Sequence, residues 1–171
     1  MPATEADLFA HFDRLGIATK TRHHAPVFTV EEAQRVHGDM PGGHCKNLFC
    51  KDEKGALWLI CCLEDDRVDL KAAPAKIGSK RLSFGKPDLL MEVLGLEPGG
   101  VTPFGLINDT GHRVNVILDQ RMMAEPLLNF HPLHNAATTA IASADLLTFL
   151  LSLGHQPRIV AVAEPALQSP P

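Results

Sequence analysis

Nothing in the 171 residues approaches the roughly 20 consecutive apolar positions that a bilayer-spanning helix needs. The opening MPATEADLFAHF is acidic where a signal peptide would be basic, and it lacks a continuous apolar stretch. The expectation is a cytoplasmic protein with no membrane partner. No GxGxxG follows a strand and no GxxxxGK[ST] is present, which argues against a nucleotide-cofactor enzyme. There is no GxSxG elbow and no HExxH. The four cysteines, Cys45, Cys50, Cys61 and Cys62, match neither zinc-ribbon nor CxxC spacing, so they read as buried reduced thiols. The nine histidines offer no recognised ligand spacing either, and neither metal nor cofactor is expected. Positive charge is also short, with 16 Lys and Arg against 20 Asp and Glu and a net charge of −4. That excludes nucleic-acid binding through a general cationic coat, though not through a local patch.

What is present is enough apolar sequence for a core, 45% of residues, in a length that suits one domain. Helical spacing over 4–15 ends at Gly16, and 19–24 reads as a short strand. Thr29 and Glu32 form a capping-box signature for a helix ending near Gly38. CKNLFC and GALWLICCL read as two strands joined by 52–55. Asp69 reads as the cap of a short helix through Ala75, 81–84 as extended, and Lys86-Pro87 as the start of a helix. Residues 96–111 are a glycine- and proline-rich loop in which Phe104 and Leu106 alternate, so part reads as strand. Val114, Val116 and Leu118 mark one strand face, and a further strand is expected around 138–141. Ser143 reads as the cap of a helix that Gly154 stops, PRIVAVA as a closing strand, and 164–171 as a flexible tail. The fold class is α/β, a mixed and partly antiparallel central sheet covered by helices, with 1–171 as a single domain.

Three stretches carry candidate chemistry. Lys46-Asn47 enters an apolar strand after a glycine turn, where a lysine offers a fixed positive charge to a phosphate or carbonyl oxygen. Asn47 points to the opposite side in ideal strand geometry unless a bulge intervenes. Gly99-Gly100-Val101-Thr102-Pro103 is suited to a backbone-amide nest for an oxyanion. Asn129-Phe130-His131-Pro132 with Asn135 mixes an aromatic face, an imidazole and amides. A basic set, Lys71, Lys76, Lys80, Arg81 and Lys86, is either a nucleic-acid contact or an ordinary solvated face.

KNLF at 46–49, GGVTPFGLIND at 99–109 and NFHPLHNAAT at 129–138 together resemble the YbaK/ProX family of aminoacyl-tRNA editing domains, across roughly residues 4–163. The likeness is greatest to the freestanding prolyl-tRNA editing type that removes alanine from tRNA(Pro). It implies a hydrolase that cleaves the ester of a mischarged tRNA in trans, without a cofactor and with help from the substrate's own ribose hydroxyl. It further implies Lys46 as the essential lysine, with Asn47 and His131 as pocket residues. Gly99 and Gly100 would supply the oxyanion nest, the place where the family usually carries Gly-Ser. That serine hydroxyl has no counterpart here. Thr102, Pro103, Asn108, Phe130 and Asn135 fall in the remaining pocket segments. Lys76, Lys80, Arg81 and Lys86 would meet the 3′ end and acceptor stem of the tRNA. Transient docking to prolyl-tRNA synthetase or an elongation factor, and a monomer or weak dimer, are compatible with this. The alternatives are a Cys-tRNA(Pro) or Ser-tRNA deacylase of the same fold, a catalytically silent tRNA-binding or regulatory module, or a general small-ester hydrolase.

Overall fold

In the computed structural model, residues 1–36 and 39–166 are described. Thr4 and Asp7 exchange side chain-to-backbone hydrogen bonds in a capping box that starts α1 (Glu5–Leu15), and Gly16 at φ 70° closes it. β1 (Thr19–His23) follows. At α2 (Val30–Val36) the Thr29 hydroxyl accepts from the Glu32 amide at 3.1 Å. The Glu32 carboxylate reaches past Thr29 and accepts from the Phe28 amide at 3.2 Å. The end expected for this helix near Gly38 lies outside the described residues. β2 (Gly43–Asp52) and β3 (Leu57–Leu63) form the expected antiparallel hairpin. The buried Asp52 carboxylate organises the turn by accepting from the Lys54 and Ala56 amides and the Trp58 indole.

Asp69 does not cap a helix. It holds a turn, and α3 begins later, at Ala73–Ile77. β4 (Leu82–Phe84) and α4 (Pro87–Leu94) come next. The alternation of Phe104 and Leu106 belongs not to a strand but to a 3-10 helix, Pro103–Asn108, that buries both. A Cβ on Gly105 would stand 2.6 Å from Leu96 Cδ1, so this close approach needs glycine. β5 (Val114–Asp119), α5 (Gln120–Met123), β6 (Leu127–Phe130), β7 (Ala137–Ala142), α6 (Ser143–Ser152) and β8 (Arg158–Val160) complete the chain. Ser143 is the first residue of α6 rather than its cap. Its amide donates to the Pro126 carbonyl, and α6 has no side-chain capping bond. Glu164 pairs by both backbone groups with Arg67 at 2.8 Å, so the predicted tail is tied at its first residue.

The described strands form a mixed sheet in the order β1-β7-β6-β2-β3-β5-β8, with β4 beside β2. β3 is apolar along its length and buried on both faces, as a central strand must be. Leu57, Leu59 and Cys61 face the larger core cluster under α1, α4 and α6. Trp58 and Ile60 face a smaller one with Ala73 and Ile77 of α3. Full burial of each aliphatic or Phe side chain here contributes about 1.5–3 kcal/mol. Among the described residues, no helix is long and apolar enough to cross a membrane.

One departure from a regular sheet positions everything that follows. On the edge of β2 away from β3, β6 pairs in parallel only with Gly43 and His44, and β4 pairs only from Cys50 onward. Among the described residues, 45–49 therefore have no strand beside them on that edge.

Candidate active site

That gap is where the candidate residues meet. A cavity of about 180 Å³ is lined by Lys46, Asn47, Gly99, Val101, His131 and the segment Val27–Thr29, among others. The register of β2 on β3 is one-to-one from Cys45↔Leu63 to Lys51↔Leu57, so no bulge turns Asn47 toward Lys46. Both reach the cavity because it wraps the unpaired edge of β2 and is open to both faces of the strand. A smaller chamber of about 30 Å³ shares the walls Asn47, Glu64 and His131 and extends to Asn129, Phe130 and Thr138.

Lys46 is half-buried and pairs across the ladder with Cys62. Asn47 fixes the glycine loop, its Nδ2 donating to the Val101 carbonyl at 2.9 Å. Gly99 adopts φ 89°, a conformation that L side chains disfavour, and lies over Phe28. His131 Nδ1 donates to the Ala137 carbonyl at 2.9 Å. A carbonyl only accepts, so Nδ1 carries the proton and Nε2 is left as an acceptor. Burial lowers the His131 pKa, the neighbouring His24 and His134 add to this, and the ring is neutral at pH 7.

Other predicted site residues sit elsewhere. Gly100 faces a separate depression and its amide is spent on the Glu97 carbonyl at 3.0 Å, so the expected oxyanion donor is withdrawn there. Thr102 is fully buried and caps the 3-10 helix through the Phe104 amide, and Pro103 is that helix's first residue. Asn108 is a staple: its Oδ1 accepts from the Ala3 amide and its Nδ2 donates to the Leu94 carbonyl, both at 2.8 Å. Asn135 Nδ2 donates to the Val27 carbonyl at 2.8 Å, which places the Val27–Thr29 wall without lining the cavity. Phe130 lines the chamber and packs edge-on to Phe104, with centroids 5.6 Å apart.

The basic set divides. Arg81 and Lys86 line an open groove of about 630 Å³ beside the exposed Phe84, with Asp52, Glu53 and Asp88 interspersed. Lys76 pairs with Glu164 at 3.6 Å. Lys80 is exposed, and its amide donates to Asp52. The groove flanks the Lys51 end of β2, about 17 Å along the strand from Lys46 at ordinary rise.

Two contributors, Phe28 and Glu64, were not anticipated, and they join Asn129 of the third candidate stretch. Phe28 is 69% exposed at the cavity mouth, an aromatic face available to a base. Asn129 is 2% exposed, and Glu64 follows the last residue of β3. Burial pushes the Glu64 carboxyl up to about 7, Asp65 adds to the rise and Lys46 opposes it. The cysteines are all free thiols. Burial drives Cys45 far above an ordinary thiol pKa, which leaves almost no thiolate for nucleophilic attack.

The sequence profile of the aminoacyl-tRNA editing domain matches residues 24–149. The prolyl-tRNA editing protein ProX of Acetoanaerobium sticklandii is 36% identical over 147 residues, covering 85% of this chain and 89% of that protein. Prolyl-tRNA synthetase associated domain-containing protein 1 of Danio rerio is 36% identical over 150 residues, 86% of this chain and 82% of that one. A crystal structure described as a proposed trans-editing enzyme for prolyl tRNA synthetase superposes with a TM-score of 0.69 at 22% identity, over 94% of this chain and 98% of that one, a likeness of fold.

Proposed function

Because this chain belongs to the aminoacyl-tRNA editing domain family, we propose that it is a trans-acting deacylase of mischarged tRNA(Pro), with Ala-tRNA(Pro) as its substrate. The observation that carries the reading is the edge cavity, which brings Lys46, Asn47, Gly99 and His131 together from separate segments. Around it, the chain offers a cation, a glycine loop and a neutral imidazole acceptor, but no activated nucleophile.

Hydrolysis of an aminoacyl ester needs a held acyl group, a placed water and charge stabilisation at the carbonyl oxygen. The Lys46 ammonium faces that oxygen or the terminal phosphate, and either way it stabilises negative charge. The loop at Gly99 closes over the acyl group. Water adds to the carbonyl carbon, and the bond from that carbon to the ribose oxygen breaks. A water proton passes to the departing oxygen through the neighbouring ribose hydroxyl. Free alanine and intact tRNA leave. Neither positioning nor charge stabilisation calls for a metal. His131 serves as a wall whose Nε2 accepts a hydrogen bond. Phe28 at the mouth offers its exposed face to the terminal adenine, a contact worth about 1–3 kcal/mol. Arg81 and Lys86 lie far enough away to meet the body of the tRNA rather than its last nucleotide.

Selection is by size: the acyl pocket admits a methyl side chain and excludes the proline ring by overlap. The test is single-turnover deacylation of Ala-, Cys- and Ser-tRNA(Pro), with Lys46→Ala as control. Rapid loss of alanine that disappears in Lys46→Ala supports the reading. Preference for cysteine or serine keeps the reaction and moves the specificity. A folded native protein that hydrolyses none of them refutes it.

A further inference from the structure

A separate pocket opens where β8 leaves β5 uncovered. β8 pairs with β5 only from Ile117 onward, so among the described residues Val114–Val116 have no strand beside them on that edge. Such an edge presents unpaired backbone N–H and C=O groups. The pocket holds about 330 Å³ and is lined by Arg158, His112, His155, Asn115, Gln156 and Trp58, among others. Trp58 lies four residues along β3 from Cys62, the ladder partner of Lys46, or about 13 Å at ordinary rise. No Asp or Glu stands among the described residues that line this pocket. The groove at Arg81, by contrast, carries Asp52, Glu53 and Asp88, and the edge cavity carries Glu64. In a chain of net charge −4, walls of one guanidinium, two imidazoles and two amides without a carboxylate favour a negatively charged occupant.

These groups have hydrogen-bonding capacity to spare. Arg158 donates through one nitrogen to the Ile77 carbonyl, which fixes the side chain, and no carboxylate pairs with it among the described residues. His112 Nε2 donates to the Leu153 carbonyl at 2.8 Å, which leaves Nδ1 over. His112 holds φ 52°, an uncommon conformation for a residue with a side chain. Its ring stands where a Cβ on Gly154 would come within 2.7 Å, and it packs edge-on to His155 with centroids 4.9 Å apart. His155 is 4% exposed, and its Nε2 is buried without a hydrogen-bond partner among the described residues. Asp109 Oδ2 stands 3.6 Å from it, too far for a hydrogen bond, and already accepts from the Val114 amide. A buried polar atom left in this state calls for an explanation.

We propose that this pocket binds a small sugar phosphate, with the phosphate monoester held between Arg158 and His112 and backed by His155. A guanidinium offers paired N–H donors that match phosphate geometry. A phosphate monoester has its second pKa near 6, so at neutral pH it presents anionic oxygens and, in part, an O–H. An imidazole nitrogen that accepts when neutral and donates when protonated meets either form. The volume exceeds that of a bare phosphate and leaves room for an attached sugar beside Asn115 and Gln156. Asn115 Nδ2 donates to the Leu57 carbonyl at 3.0 Å, so its Oδ1 remains to accept from a sugar hydroxyl. The site lies apart from the edge cavity and does not rest on the deacylase reading.

Trp58 is the one tryptophan in the chain, so its fluorescence reports on this pocket. Titrating the native protein with ribose 5-phosphate at fixed ionic strength should give a saturable change, and inorganic phosphate a weaker one. Ribose and sulfate should give none over the same range. Arg158→Gln and His112→Asn should each weaken ribose 5-phosphate binding by about tenfold or more, the scale of one charge-assisted hydrogen bond. Asparagine tolerates the left-handed backbone at 112, so that variant keeps the test intact if Arg158→Gln fails to fold. Amide NMR shifts on binding should fall at 112–116 and 154–158. Absence of a saturable response to ribose 5-phosphate, equal affinity for sulfate, or unaltered affinity in folded His112→Asn overturns the proposal. Shifts confined to 45–49 and 99–101 would also overturn it, by moving the phosphate to the edge cavity.

Discussion

If the Glu64 carboxyl at the cavity wall must be ionised for editing, the pH dependence follows from its environment. Burial raises its carboxyl from the ordinary 4.5 to about 7, Asp65 raises it further and Lys46 opposes the rise. Cys45, His131 and Asn129 also line the same chamber, and at pH 7 the first two are uncharged. A group with a pKa near 7 is about one-tenth ionised at pH 6 and nine-tenths at pH 8. The rate of alanine release should therefore climb roughly tenfold over that interval. The assay is single-turnover release of labelled alanine between pH 5.5 and 8.5, corrected for spontaneous hydrolysis at each pH. Glu64→Gln should remove the rise. A rise that survives in Glu64→Gln refutes the reasoning. Stability carries the opposite sign. Because the folded-state pKa is raised, folding favours the protonated carboxyl. That contribution is complete below about pH 4.5 and is lost as the pH rises through about 7, so Glu64→Gln should flatten the stability profile across this window.

Cys45→Ser should leave deacylation within about threefold of native, since burial keeps the thiol protonated; near-complete loss of activity in a folded variant would reinstate a covalent mechanism. Gly99→Ala should cost about 1–2 kcal/mol, because the Cβ meets only ordinary contacts but φ is 89°. In a chain of this size each kcal/mol lowers Tm by about 2–4 °C, and an unchanged melting curve would show that the loop relaxes. Neutralising Arg81 and Lys86 together should weaken tRNA binding and reduce its salt slope by about 2, leaving the affinity for an aminoacyl-adenosine analogue unchanged. An unaltered slope would return these residues to the solvated surface.

The parts of the fold that were legible in sequence are those whose causes are local. Gly16, Pro87 and the alternation of Val114, Val116 and Leu118 each act within a few residues, and each element stands where it was expected. Phe104 and Leu106 misled because a spacing of two also arises in a 3-10 turn buried all round. β6 has only four residues, and three in succession are buried, so there is no alternation to read. Within the site, Lys46, Asn47, Gly99 and His131 converge because they lie at the meeting points of the three motif segments. Thr102, Asn108 and Asn135 belong to the same segments but cap, staple and brace them, a division of labour set by partners up to 108 residues distant. Glu64 carried no signal, because its relevance arises from the chamber it lines together with Asn129 of the third candidate stretch, which sequence spacing cannot locate.

The break beside β2 also bears on how such a site changes over generations. Its two flanks are joined by backbone pairing at only Gly43 and His44 among the described residues, and below that joint their separation is governed by packing. Phe104 and Phe130, stacked edge to face beneath the slot, act as a spacer. Swapping a spacer for a slimmer or bulkier residue would resize the slot while Lys46, Asn47 and Gly99 stay as they are. Acyl preference can thus drift through mutations that touch no reacting group, so descendants with identical chemistry can police different errors.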